Sequence, residues 1–266
     1  MKKYLTVFNL SFQNEFVYRL NFVLWRVRNV IRILMTFFLW RQIFVHNNTA
    51  LGYSQSEMMS YVFLALLTSS FVIAAPSNDN IGAEIASGDL SKFLLKPFGY
   101  LRYWLTRDWA SKLLNMLFAF FEVYILWLLF KPDLLFSISG INLMLGLIAL
   151  TIASLIYFCL GKLALTITFW SPENTWGLMF IIMVFFEALS GAMFPLKVLP
   201  VDLFNVLQFT PFPYLVFFPI QIILGQYEIA IVLRLIALSL VWLVLLGFFL
   251  QKIWRAGLRQ YSASGN

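Results

Sequence analysis

The feature that most constrains this chain is a set of apolar blocks long enough to cross a bilayer, two of them wholly free of charge. Met58 to Ala75 and Ile141 to Gly161 contain no charged side chain, and a spanning helix needs about 20 mostly apolar residues. Thr175 to Phe194 and Leu113 to Phe130 are each interrupted by one glutamate, Glu187 and Glu122. Leu235 to Leu250 is uncharged and gains length from Ile229 to Arg234. A further span is expected within Asn21 to Val45, where Arg26, Arg28 and Arg32 crowd one end and are expected to extend to the headgroups. The expectation is an all-α membrane protein with six transmembrane helices, forming one permease-like domain over residues 1–266.

Composition excludes the soluble alternative. The chain is 61% hydrophobic and 12% charged, against about 25% charged in ordinary soluble domains. So few polar groups cannot cover a water-facing surface of this size, whereas a lipid-facing one needs no such cover. Before the first span, Leu5, Phe8, Phe12 and Phe16 recur at helical spacing while Lys2, Lys3, Asn9 and Gln13 fall elsewhere. Residues 1–20 are therefore expected to form an interfacial helix. The segment lacks the continuous apolar core and small-residue cleavage site of a signal peptide, so it is expected to be retained.

Orientation follows from the basic residues. With the N-terminus placed in the cytoplasm, only Arg41, Lys131, Lys197 and Arg234 of the 19 Lys and Arg fall on the outer side. Both termini are then cytoplasmic. The net charge of +7 is explained by these flanking residues and by anionic lipid, so no nucleic-acid partner is expected. Cys159 and His46 each stand alone, which excludes an intrachain disulfide and leaves no metal-ligand set.

The longest polar interruption lies on the cytoplasmic side, over residues 77–112. Within it, "EIASGDLSKFLLKP" alternates Ile85, Leu90, Phe93, Leu94 and Leu95 with Glu84, Asp89, Lys92 and Lys96, punctuated by Gly88 and Pro97. From periodicity, a helix resting on the headgroups and a helix docking a protein partner both fit. Near the other end, residues 195–228 hold Pro195, Pro200, Pro211, Pro213 and Pro219, yet Leu203 to Leu224 carries no charge. Short broken or re-entrant helices at the outer face are expected there rather than a surface loop.

The stretch "IGAEIASGDLSKFLLKPFGYL", from Ile81 to Leu101, resembles the cytoplasmic loop of permease subunits in the ATP-binding-cassette type-2 family, with its Glu-Ile pair, Gly-x-Leu and Lys-Pro step. A second stretch, "LSGAMFPLKVLPVDLFNVLQFTPFPYLVFFPIQIILG", from Leu189 to Gly225, is similar to that family's outer segment. The resemblance implies an exporter-type permease. It would pair with a second permease, identical or related, and with two copies of an ATPase subunit, moving a hydrophobic or amphipathic substrate by alternating access. It further implies that Glu84, Ile85, Gly88, Asp89, Leu90, Phe93, Lys96 and Pro97 form the coupling element against the ATPase. On the same basis Thr68, Ser69, Ser70 and Glu187 could line the translocation path.

No G-x-x-x-x-G-K-[ST] loop occurs, since Gly161-Lys162 is followed by Leu163 and lacks the earlier glycine. ATP and magnesium are thus expected on the partner chain, with no cofactor on this one. A lipid-modifying membrane enzyme and a non-transporting assembly subunit compete with transport, but no catalytic constellation supports the first. Glu122 and Glu187 are read either as substrate or proton sites or as structural hydrogen-bonding partners of neighbouring helices.

Overall fold

A computed structural model of the chain describes residues 2–17, 19–46, 49–74, 81–96, 99–136, 138–171 and 175–261. Helices dominate. α1 (Lys2–Val17) and α2 (Arg19–Ile43) precede a two-stranded hairpin, β1 (Thr49–Ala50) and β2 (Tyr53–Ser54), and α3 (Gln55–Val72). The polar elbow follows as α4 (Ile81–Ala86) and α5 (Leu90–Leu94), leading into α6 (Tyr100–Phe130). α7 (Gly140–Leu165) ends in a 3₁₀ turn over Thr166–Phe169; α8 (Thr175–Leu189), α9 (Val201–Leu207), α10 (Phe217–Ile223) and α11 (Ile229–Gln260) complete the chain.

Local chemistry sets these boundaries. Ser54 and Glu57 form a reciprocal capping box at the start of α3, and the Ser139 hydroxyl accepts from the Asn142 amide to start α7. α6 stops at Lys131, held in the left-handed conformation at φ 40°. α7 is the central helix, with α3, α8, α10 and α11 packed around it. α6 and α11 leave most of their apolar windows uncovered, as lipid-facing helices do.

Among the described residues, three helical segments are both long and apolar enough to cross a membrane: Tyr100–Phe130, Gly140–Phe169 and Ile229–Gln260. The other three expected spans correspond to α2, α3 and α8, which are respectively arginine-rich, rich in Ser and Thr, and only 15 residues long. α2 is nonetheless amphipathic in a membrane-like way. Leu20, Leu24, Ile31, Met35 and Phe38 form an exposed apolar stripe, while Arg26, Ile33, Phe37, Trp40 and Phe44 are buried.

Two arginines of α2, Arg26 and Arg32, are committed to carboxylates of neighbouring helices, while Arg28 stays exposed. Arg26 is buried and its guanidinium makes a two-point ion pair with Glu122 of α6, with Nε donating at 2.6 Å and Nη2 to the second oxygen. Its Nη1 also donates to the Asn115 side-chain oxygen at 3.1 Å. Arg32 donates to Glu187 of α8 at 3.0 Å, and Arg28 lies 3.8 Å from the same carboxylate. The reason is the cost of an isolated charge among apolar helices, which a facing carboxylate offsets.

Between α8 and α11 the proline-rich segment forms α9, α10 and two single-turn 3₁₀ helices, Leu196–Val198 and Phe212–Tyr214. It is not a surface loop: every residue of α10 is buried, against α7 and α3. The Tyr61 hydroxyl of α3 donates to the Gly191 carbonyl at 2.7 Å, and the Phe217 amide donates to the Ser190 carbonyl at 2.9 Å, so the segment is bolted to the core.

Candidate functional site

The elbow is seated on aromatic side chains from distant parts of the chain. Tyr100 at the start of α6 stacks on Trp254 of α11, with ring centroids 5.1 Å apart. Trp254 meets Phe169 edge-on at 5.3 Å, and Phe169 meets Tyr261 at 6.2 Å. Phe93 packs against Tyr100 and Tyr103. α4 lies on the 3₁₀ turn at the end of α7, and the Tyr261 hydroxyl accepts from the Ser91 amide at 3.2 Å. The ends of α6, α7 and α11 therefore meet beneath α4 and α5.

Two glycines make the geometry possible. Gly88 adopts φ +81° between α4 and α5, a conformation that side-chain-bearing residues enter at a cost of about 1–2 kcal/mol. Gly257 of α11 lets the helix meet the Phe169 ring, where an added Cβ would come within 2.3 Å of a ring carbon.

The side chains singled out in the elbow divide into two groups. Ile85 is buried and Leu90 is completely so, within the molecule's own core; Phe93 is partly buried in the aromatic cluster. Leu90 therefore has no surface left for a partner, whereas Phe93, partly covered by Tyr100 and Tyr103, keeps some. Glu84 accepts a short hydrogen bond from the Tyr100 hydroxyl. The uncovered face consists of Ser87, Lys92, Leu94, Leu95 and Lys96, with Leu95 88% exposed. Asp89 accepts from Lys92 Nζ at 2.6 Å and from the Ser87 hydroxyl at 3.0 Å. The hydrogen bond from the Lys92 ammonium is the main reason its carboxyl is held below the ordinary range, and Asp89 in turn raises Lys92. Lys96 lies over the Phe93 ring at 4.2 Å. Pro97 lies outside the described residues.

Thr68, Ser69 and Ser70 are all buried in α3 within the bundle, while Glu187 is tied to α2 through Arg32 and Arg28. Charge buried beneath the elbow escaped the sequence reading. Lys112, fully buried, donates to the Val72 carbonyl at the end of α3 at 2.9 Å and pairs with Asp108 at 3.1 Å. A cation at a helix C-terminus is favourable. The i,i+4 spacing of Asp108 and Lys112 was the available signal. The buried Lys162 ammonium lies over the Trp104 ring at 5.2 Å, and no pattern in the sequence pointed to that contact.

Long apolar helices, charges compensated inside the bundle and one polar elbow fixed to the helix ends define an integral membrane protein. The chain belongs to the ABC-2 transporter family: the sequence pattern of the ABC-2 family transporter proteins matches residues 30–265. α1 precedes the matched region. No curated protein matches the chain at a meaningful level of similarity.

Proposed function

We propose that this protein is the permease subunit of an ATP-binding-cassette exporter and that the elbow couples it to a separate ATPase. Two ATPase copies bind ATP and magnesium, and two permease subunits alternate access for a hydrophobic or amphipathic substrate. In this reading α2, α3 and α8 join α6, α7 and α11 as six spans, both termini face the cytoplasm, and residues 195–228 lie at the outer face. α3 and α8, which carry Thr68, Ser69, Ser70 and Glu187, border the path.

One observation carries the reading beyond family membership: α4 and α5 are clamped to the ends of α6, α7 and α11 while Leu94, Leu95 and Lys96 stay uncovered. A push on that face reaches three helix ends at once. Lys92 and Lys96 steer an acidic rim, and the two leucines supply burial.

Replacing Leu94 and Leu95 together by alanine tests this. Each well-buried anchor is worth about 1–3 kcal/mol, so the ATPase retained on co-purification falls at least tenfold while the amount of protein in the membrane is unchanged. Retention and transport both at the unsubstituted level would sink the coupling role.

A further inference from the structure

A cavity of about 420 Å³ opens at the far end of α3 and α6 from the elbow, between the last turn of α2, the first turn of α3 and the chain leaving α6. Its volume lies in the range of small-ligand sites. Its floor is apolar: Phe37, Met59 and Phe130, with the Phe37 and Phe130 rings 4.8 Å apart. Its rim is charged. Arg41 and Lys131 both line it and both are exposed, and among the described residues neither forms an ion pair.

The Gln55 and Ser56 end of α3 forms one wall, but its first turn is already capped by Ser54 and the Glu57 carboxylate, which leaves an anion to the two cations. A further feature favours an anion between them. Lys131 also holds the left-handed conformation at φ 40°, at a helix end where glycine would sit with less strain. Strain of this kind clusters at ligand sites, and here it carries the lysine to the rim. Asp133, on the same rim, repels a bare anion and accepts from an amine.

The level of the cavity separates a lipid from a soluble anion. Tyr124 and Trp127, on the last two turns of α6 below it, stack with centroids 6.3 Å apart, both exposed. Aromatic side chains of this type gather where the acyl region meets the headgroups. We propose that the cavity holds the headgroup of an amine-bearing phospholipid, its phosphate between Arg41 and Lys131, its amine at Asp133, and the first part of its acyl chains on the phenylalanine floor. Guanidinium suits this task because its donors match phosphate oxygens in pairs.

The test uses the full chain, delipidated in detergent, with binding of phosphatidylethanolamine, phosphatidylglycerol, phosphoethanolamine and inorganic phosphate counted by native mass spectrometry. Phosphatidylethanolamine is retained several-fold more than phosphatidylglycerol, and the two soluble compounds do not displace it at equal concentration. R41Q/K131Q loses at least tenfold of the retention, R41K/K131R keeps it, and D133N keeps binding but erases the preference for the amine. Full retention by R41Q/K131Q overturns the proposal, as does displacement by phosphoethanolamine or phosphate, which would make the ligand a soluble anion. Should R41Q/K131Q fail to fold, D133N decides: an unchanged headgroup preference is equally fatal.

Discussion

At the scale of single residues, the charges paired between helices carry the sharpest consequence. Glu122 and Arg26 are both largely buried and joined by two hydrogen bonds, so removing one partner strands the other. Glu122→Ala is expected to destabilise the protein by about 3–5 kcal/mol, whereas replacing both residues by leucine restores most of the loss. Unfolding in mixed detergent micelles measures both; equal stability of Glu122→Ala and the parent would show that the pair contributes nothing. The pairing also answers how Glu122 was read from sequence, as a functional acid or a structural partner. Arg26 lies 96 positions away, and no local pattern announces a contact at that separation.

At the scale of elements, the elbow's outer clip gives a pH prediction. Asp89 titrates below the free carboxyl's ordinary value of about 3.9. A depressed folded value means the clip is complete above that pH and opens as pH falls through the lower one. Amide protection of residues 84–96, corrected for intrinsic exchange, is therefore constant from pH 8 to 5 and falls only in stronger acid; Asp89→Asn removes that acid dependence. A loss of protection near pH 6 would contradict it. The existence of this elbow was legible in Gly88 and in the switch from apolar runs to mixed charge. Its orientation was not. Leu90, Phe93, Leu94 and Leu95 are equally apolar, and the choice of which turn inward is made by Tyr100, Trp254 and Tyr261, the last two more than 150 positions away. In the same way α6, α7 and α11 follow directly from charge-poor blocks. α2 needed its charge partners in view before its lipid-compatible face became intelligible.

At the scale of the whole molecule, the asymmetry of basic residues predicts that a tag before Met1 and a tag after Asn266 are both protected from protease added outside intact cells; cleavage of either would reverse the orientation or change the span count. The ion pairs of α2 also impose an order on biogenesis. An arginine at the centre of an isolated helix costs about 2.5–3.5 kcal/mol to insert, and the carboxylates that face Arg26 and Arg32 are synthesised only with α6 and α8. In the proposed six-span arrangement, the first long helix to leave the ribosome is thus the last to become comfortable in lipid: it lingers beside the insertion machinery, or at the membrane surface, until its acidic partners arrive. A chain that stalls before α8 presents unmatched guanidinium groups, a mark by which membrane quality control can tell an unfinished molecule from a complete one.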